Sequence, residues 1–168
     1  MEQRTVRVGI LGCGVVGGGL FQLLTRNADE IARRTQAPVE LAAVADIDWD
    51  RPRDFDVPAE LRSTDGMALC TDPSIDIIVE TIGGIGIARK LVMAAIENGK
   101  AVVTSNKELM AKFGSEILDA ARDKGVDVQF EGAVGGTIPI IRALHQSLEA
   151  NRIQRILGIV NGTTNYIL

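Results

Sequence analysis

The chain has 168 residues, 46% hydrophobic and 24% charged, with a net charge of −4. At about 150 residues per domain this is one domain with a little over, and the ordinary composition excludes disorder, collagen and coiled coil for the whole. The acidic balance speaks against nucleic-acid wrapping and against an anionic membrane surface as partners.

No run approaches the roughly 18 consecutive apolar residues of a membrane span, and the N-terminus carries no signal-peptide apolar region. There are 18 Gly but only 4% aromatics, so an aliphatic core is expected, with glycine reserved for tight turns. Cys13 and Cys70 form no C-x-x-C pair and no metal spacing, which reads as reduced thiols in a cytoplasm.

In chain order, Val6–Leu11 is a short β-branched run that suits a buried parallel strand. A glycine-rich turn follows, then a helix with Leu20, Leu23, Leu24, Ala28 and Ile31 on one face. Val39–Ala45 reads as the second strand, ending at Asp46. Residues 47–63 are polar and broken by Pro52 and Pro58, a surface loop with at most a short helix. A short helix is expected over Asp65–Cys70, a strand over Ile75–Thr81 and a helix over Ala88–Asn98, with Gly99 as its stop. Then come a strand at Ala101–Thr104, a helix at Lys107–Lys124 stopped by Gly125, and a strand at Val126–Phe130. A helix over Pro139–Ala150 with proline in its first turn, and a last strand over Ile153–Val160, complete the order. Asn165–Leu168 looks like the first turn of a new helix, the mark of a longer protein. Alternation of this kind predicts an α/β fold of the Rossmann type, a doubly wound, mostly parallel sheet with helices on both faces. The expected division is a nucleotide-binding domain over 1–150 and the start of a second domain over 151–168.

Five segments carry chemistry. In Gly12-x-Gly14-x-x-Gly17, Gly12 permits the turn, Gly14 lets a pyrophosphate approach the backbone, and Gly17 brings helix and sheet together. Helix N–H groups and the helix dipole then favour phosphate. Asp46, at the end of the second strand, can accept hydrogen bonds from a ribose diol, although it lies farther from the glycines than the usual ~20 residues. It leans the reading toward NAD, while Arg51 and Arg53 on the following loop leave NADP open. Thr81-Ile82-Gly83-Gly84 ends a strand where open α/β sheets bind ligands. Thr104-Ser105-Asn106-Lys107 opens a helix, and a cation there opposes the dipole, so Lys107 reads as functional, binding an anion, a nicotinamide-side group or a reacting oxygen; the alternative is an exposed lysine with Asn106 capping the helix. Glu131-Gly132-Ala133-Val134-Gly135-Gly136-Thr137-Ile138-Pro139 is a glycine-rich turn whose oxygens suit a hard cation, although on spacing alone it is a structural turn. The single histidine, His145, has no partner the sequence can place and reads as a surface or interface group, not a general base.

Together with Gly158-Ile159-Val160-Asn161-Gly162-Thr163-Thr164-Asn165-Tyr166-Ile167-Leu168, these segments resemble the nucleotide-binding part of homoserine dehydrogenases over nearly the whole chain. The resemblance implies interconversion of L-homoserine and L-aspartate 4-semialdehyde in threonine, methionine and isoleucine synthesis. It implies NAD(P) contacts around Val15, Val16, Thr81 and Lys107, with Lys107 also near the reacting groups. It further implies a monovalent cation such as sodium at Glu131, Val134, Gly136 and Ile138, held mostly through backbone carbonyls, and a homodimer for the full-length protein. Ala45 departs from the family, which often carries Arg there for NADP. The family's substrate carboxylates and proposed proton-donor lysine lie beyond this chain, so it is expected to hold the cofactor without turning over alone. A rival reading is a stand-alone dinucleotide-binding regulatory or scaffold domain without catalysis.

Overall fold

A computed structural model describes residues 4–136 and 138–158. Six strands form one sheet in the order β3-β2-β1-β4-β5-β6, and every adjacent pair is parallel. The strands are β1 (Val6–Leu11), β2 (Val39–Ala45), β3 (Arg62–Ser63), β4 (Ile77–Glu80), β5 (Ala101–Thr104) and β6 (Val128–Gln129). The helices are α1 (Val15–Arg26), α2 (Ala28–Thr35), α3 (Gly66–Thr71), α4 (Gly86–Glu97), α5 (Lys107–Lys124) and α6 (Ile140–Arg142), the last running into a π-helical turn at Ala143–Ser147. This is the Rossmann strand order, with the chain reversing direction between β1 and β4.

The two-residue period of a strand decides which side chain enters which layer. Val8 and Ile10 of β1 point to one face, where they pack with Phe21 of α1, Val44 and Val57. Leu11 points to the other face, with Ile78, Val102, Leu91, Ile96, Leu109 and Ile117 from β4, β5, α4 and α5. Ile10, Ile78, Leu109 and Ile117 are completely buried. Truncating any one of them to alanine costs about 2–5 kcal/mol. The core is aliphatic, as the composition required; Phe21 stacks on Phe55, at 5.7 Å.

The sheet register brings the strand ends into one row. Leu11 pairs with both Ala45 and Glu80, and Glu80 pairs with Thr104. The residues that follow them, Gly12, Asp46, Thr81 and Ser105, leave the sheet together along its carboxyl edge. At the opposite edge Lys100 is buried, and its ammonium donates to the carbonyls of Asp72 and Ile75. Those bonds satisfy a charge that burial would otherwise penalise.

Several expectations need correction. The first helix is two, because Asn27 leaves helical geometry at φ −112° and ψ 21°. The 47–63 loop ends in a 3₁₀ turn, Ala59–Leu61, and its last two residues enter the edge strand β3, too short to show alternation. The expected Pro139–Ala150 helix shrinks to α6 and its π turn. Residues 153–158 form no strand. A strand needs a ladder partner, and among the described residues the sheet closes at β6 with Val128–Gln129. The rest of that expected strand and the turn at Asn165–Leu168 lie outside the described residues.

Candidate functional site

The glycine turn is held by the sheet beneath it. Gly12 N–H donates to the Ala45 carbonyl and Thr81 N–H to the Leu11 carbonyl, both at 2.8 Å. The Thr81 hydroxyl donates to the carbonyls of Leu11 (3.0 Å) and Gly12 (2.9 Å), tying the β4 loop to the glycine turn. Gly12 has φ +93°, a left-handed backbone that glycine alone adopts without strain. Gly17 is sealed: a Cβ there would stand 1.9 Å from the Gly12 carbonyl oxygen and 2.6 Å from the Thr81 hydroxyl. Gly14 is open, with nothing within 4 Å of its ideal Cβ. It begins α1 without a side-chain cap, and α1 has no acid in its first turn. The N–H groups of that turn therefore face outward with no side-chain acceptor, which is the arrangement an anion needs.

Asp46 is the hinge between this turn and β2. Its Oδ2 accepts the Cys13 N–H at 2.6 Å and its Oδ1 accepts the Asp48 N–H at 2.9 Å. Arg53 lies 3.5 Å from Oδ2, with only 10% of its side chain exposed. The same guanidinium donates to the carbonyls of Cys13, Asp48, Trp49 and Arg51 and stacks over the Trp49 ring at 4.9 Å. Arg53 is thus consumed by the loop, and the expectation that it could reach a cofactor is corrected on that ground. Burial pushes the Cys13 thiol up from its ordinary range, against the pull of Arg53.

Beside the turn opens a cleft of about 490 Å³ between β2, α3 and α4. Gly12, Gly14, Asp46 and Thr81 line it, as do Arg51, Asp65, Ile87 and Lys90. The other expected cofactor residues stand elsewhere. Gly17 is packed behind the turn, Val15 and Val16 are exposed at the start of α1, Gly83 lies on the loop after β4, and Lys107 is the first residue of α5. Lys90 went unnoticed in the sequence, where its only signal is the 87, 90, 91 spacing along one face of α4.

A buried polar network fixes the β4 and β5 loops. Glu80 is wholly buried. Its Oε1 accepts the N–H groups of Ile82 (2.8 Å) and Gly83 (3.2 Å), and its Oε2 accepts the Thr104 hydroxyl at 2.6 Å. Thr104 Oγ1 accepts the Asn106 N–H at 3.0 Å. The Asn106 amide donates to the Gly84 carbonyl at 2.6 Å, while its Oδ1 caps α5 through the Leu109 N–H. Asn106 is therefore the cap, and Lys107 projects exposed from the next position.

At the far end of the sheet Glu131 begins a 3₁₀ turn, and its carboxylate accepts the N–H groups of Ile141 (3.0 Å) and Arg142 (2.7 Å). Its carbonyl accepts the Val134 N–H, and the Ile138 carbonyl accepts the Ile140 N–H. Among the described residues no donor reaches the carbonyls of Val134 and Gly136. His145 is exposed, as expected.

A family model for the homoserine dehydrogenase NAD-binding domain matches residues 12–131, and a second, for homoserine dehydrogenase itself, matches 139–168. The chain belongs to the homoserine dehydrogenase family. It carries the family's NAD-binding domain, and the glycine turn lies at the start of the matched region. The homoserine dehydrogenase of Pseudomonas aeruginosa is 50% identical over 98% of this chain, and that of Neisseria gonorrhoeae 46% over 98%. The crystal structure of a homoserine dehydrogenase from Thiobacillus denitrificans superposes with a TM-score of 0.89 at 48% identity, over 99% of this chain and 38% of its own. A hyperthermophilic archaeal homoserine dehydrogenase in complex with NADPH shares the fold, with a TM-score of 0.65 at 21% identity over 84% of this chain and 48% of its own. This chain spans 38% of the length of the two bacterial relatives. Among the described residues no helix is long and apolar enough to cross a membrane.

Proposed function

We propose that this chain holds the NAD(P) of an oxidoreductase that interconverts L-homoserine and L-aspartate 4-semialdehyde. The observation that carries the reading is the uncapped N-terminus of α1 beneath the open Gly14, directly beside the cleft. A nicotinamide bound at the carboxyl edge of the sheet supplies or accepts the hydride at its C4.

The chain's own residues then do the positioning. The first-turn N–H groups of α1, at Val15, Val16 and Gly17, carry the pyrophosphate charge. Asp46 keeps acceptor capacity beyond its two backbone donors, since a carboxylate offers about four lone-pair sites, and can take ribose hydroxyls. The Thr81–Gly83 loop, fixed from below by Glu80, forms the floor of the nicotinamide half. Lys107, free of protein partners among the described residues, directs its ammonium toward the reacting oxygen.

We further read 151–168 as the start of a second domain that supplies the rest of the active site. The family match beginning at residue 139 supports this reading. A monovalent cation such as sodium fits the turn after β6 through the carbonyls of Val134, Gly136 and Ile138. There the carboxylate of Glu131 serves α6, and oxygen ligands suit a hard ion. The complete enzyme is read as a cytoplasmic homodimer.

Fluorescence titration of the chain with NADH and NADPH tests the first claim, and binding of neither overturns it. Semialdehyde reduction by a protein extended to the length of its relatives tests the second, and absence of turnover there overturns it.

A further inference from the structure

The loop after β4 and the start of α5 are joined through one side chain. Asn106 is buried between them. Its amide N–H donates to the Gly84 carbonyl at 2.6 Å, and its Oδ1 accepts the Leu109 N–H at 3.0 Å. Its backbone N–H is held in turn by Thr104 Oγ1, also at 3.0 Å. The loop it grips is bare where side chains would project. Gly83 and Gly84 both take left-handed backbone, at φ +80° and +68°, and nothing stands within 4 Å of an ideal Cβ on either. The buried Glu80 fixes the entry of the loop through the Ile82 and Gly83 N–H groups, and Asn106 fixes its exit. Lys107 follows directly, exposed at the first position of α5.

Capping alone does not call for an asparagine. α3 is capped by Asp65, whose Oδ1 accepts the Met67 and Ala68 N–H groups. A carboxylate at 106 would cap α5 as well as an amide does, and would gain from the helix dipole. It could not donate to the Gly84 carbonyl, because an ionised carboxylate only accepts. The bond to Gly84 is therefore the part of Asn106 that helix formation leaves unexplained. That bond sets the spacing between the loop beneath the nicotinamide and the helix start that carries Lys107. We infer that Asn106 is a positioning residue for the reaction, acting through Lys107 by holding it at a fixed distance from the nicotinamide loop. This inference rests on the roles proposed above for that loop and for Lys107. Gly84 is exposed, so water can satisfy its carbonyl when the tether is cut. The loss then falls on geometry more than on stability, and a misplacement of about 1 Å is enough to cost on the order of a hundredfold in rate.

The test uses the protein extended to the length of its relatives, assayed for semialdehyde reduction with NADH and with NADPH. Asn106→Ser keeps a neutral cap on α5 but is too short to reach Gly84. Its urea midpoint and its KM for either nucleotide are expected to stay at the wild-type values. Its kcat is expected to fall about 10- to 100-fold. Asn106→Asp, a second capped variant without the donor, is expected to lose kcat in the same way. In a Lys107→Met background, Asn106→Ser should cost no further turnover, because the spacing it sets no longer matters. A role in helix formation alone predicts wild-type kcat for both capped variants. Unchanged kcat, a loss confined to KM, or losses that multiply in the double variant each overturn the positioning role and leave the proposed reaction intact. No turnover by the extended wild-type protein overturns the proposed function and this inference with it.

Discussion

Glu80 accepts the Thr104 hydroxyl at 2.6 Å inside the core, at the point where β4 and β5 end side by side. Two further donors, the N–H groups of Ile82 and Gly83, complete its shell. Glu80→Gln replaces an acceptor oxygen with an NH₂ group, which must face either the Thr104 hydroxyl or the two backbone N–H groups. The expected loss is about 1–3 kcal/mol, the cost of leaving buried polar groups unpaired. Thr104→Val removes the hydroxyl and costs a similar amount. Urea denaturation of both single variants and the double variant checks this. The losses should be less than additive, because the two side chains share one bond.

Two glycines of the same turn should behave oppositely. Gly17→Ala places a methyl 1.9 Å from the Gly12 carbonyl oxygen, a backbone atom that cannot step aside. A destabilisation of at least about 3 kcal/mol is expected, by forced separation of α1 from the sheet. Gly14→Ala meets nothing within 4 Å at an ordinary φ of −80°, so stability should fall by no more than about 1 kcal/mol. Its methyl instead occupies the space a pyrophosphate needs, and NADH affinity should drop at least tenfold. Equal effects of the two substitutions on stability would contradict the assignment.

The sheet and the helices on its faces were legible because each depends on local alternation: β-branched runs such as Val6–Leu11, apolar helix stripes, and glycines at element ends. The row of motifs along the carboxyl edge was legible for the same reason, since each followed a strand. The network beneath it was not. Glu80 and Thr104 stand 24 residues apart in the chain, and no sequence pattern pairs a strand-end acid with a strand-end hydroxyl. Arg51 and Arg53 were equivalent on paper; only the fold shows that Arg53 is enclosed by four carbonyls and Trp49 while Arg51 is exposed. β3 and the break at Asn27 escaped because two residues cannot show a period and one residue can end a helix without proline or glycine.

Lys107 stands at the first position of α5, where a cation opposes the helix dipole. Lys107→Met should therefore raise stability by about 0.3–1 kcal/mol. NADPH affinity should change little, because the pyrophosphate and ribose contacts lie on other loops. Turnover in the extended enzyme, followed by reduced-nicotinamide absorbance, should fall by orders of magnitude. A variant that is less stable and fully active would remove Lys107 from the catalytic role proposed for it.

Cys70 lies wholly buried on α3, and desolvation pushes its thiol up from 9.0 to about 11, against the pull of Lys100 and with the help of Asp65. The folded protein thus keeps the thiol proton over a range in which the unfolded chain has already lost it. Stability from this group is fully present below about pH 9 and is lost as the pH rises toward 11. A shift of this size corresponds to about 2–3 kcal/mol across the window. Cys13 is raised by burial in the same sense, so the comparison needs both Cys70→Ala and Cys13→Ala. Urea midpoints of the three proteins at pH 8 and pH 10.5 are expected to differ in one respect. Wild type and Cys13→Ala should lose stability steeply between the two, whereas Cys70→Ala, already lower at pH 8 from the cavity it leaves, should lose distinctly less. Parallel losses in all three would show that the alkaline slope comes from other groups, and that the thiol beside Lys100 is not the one that holds its proton.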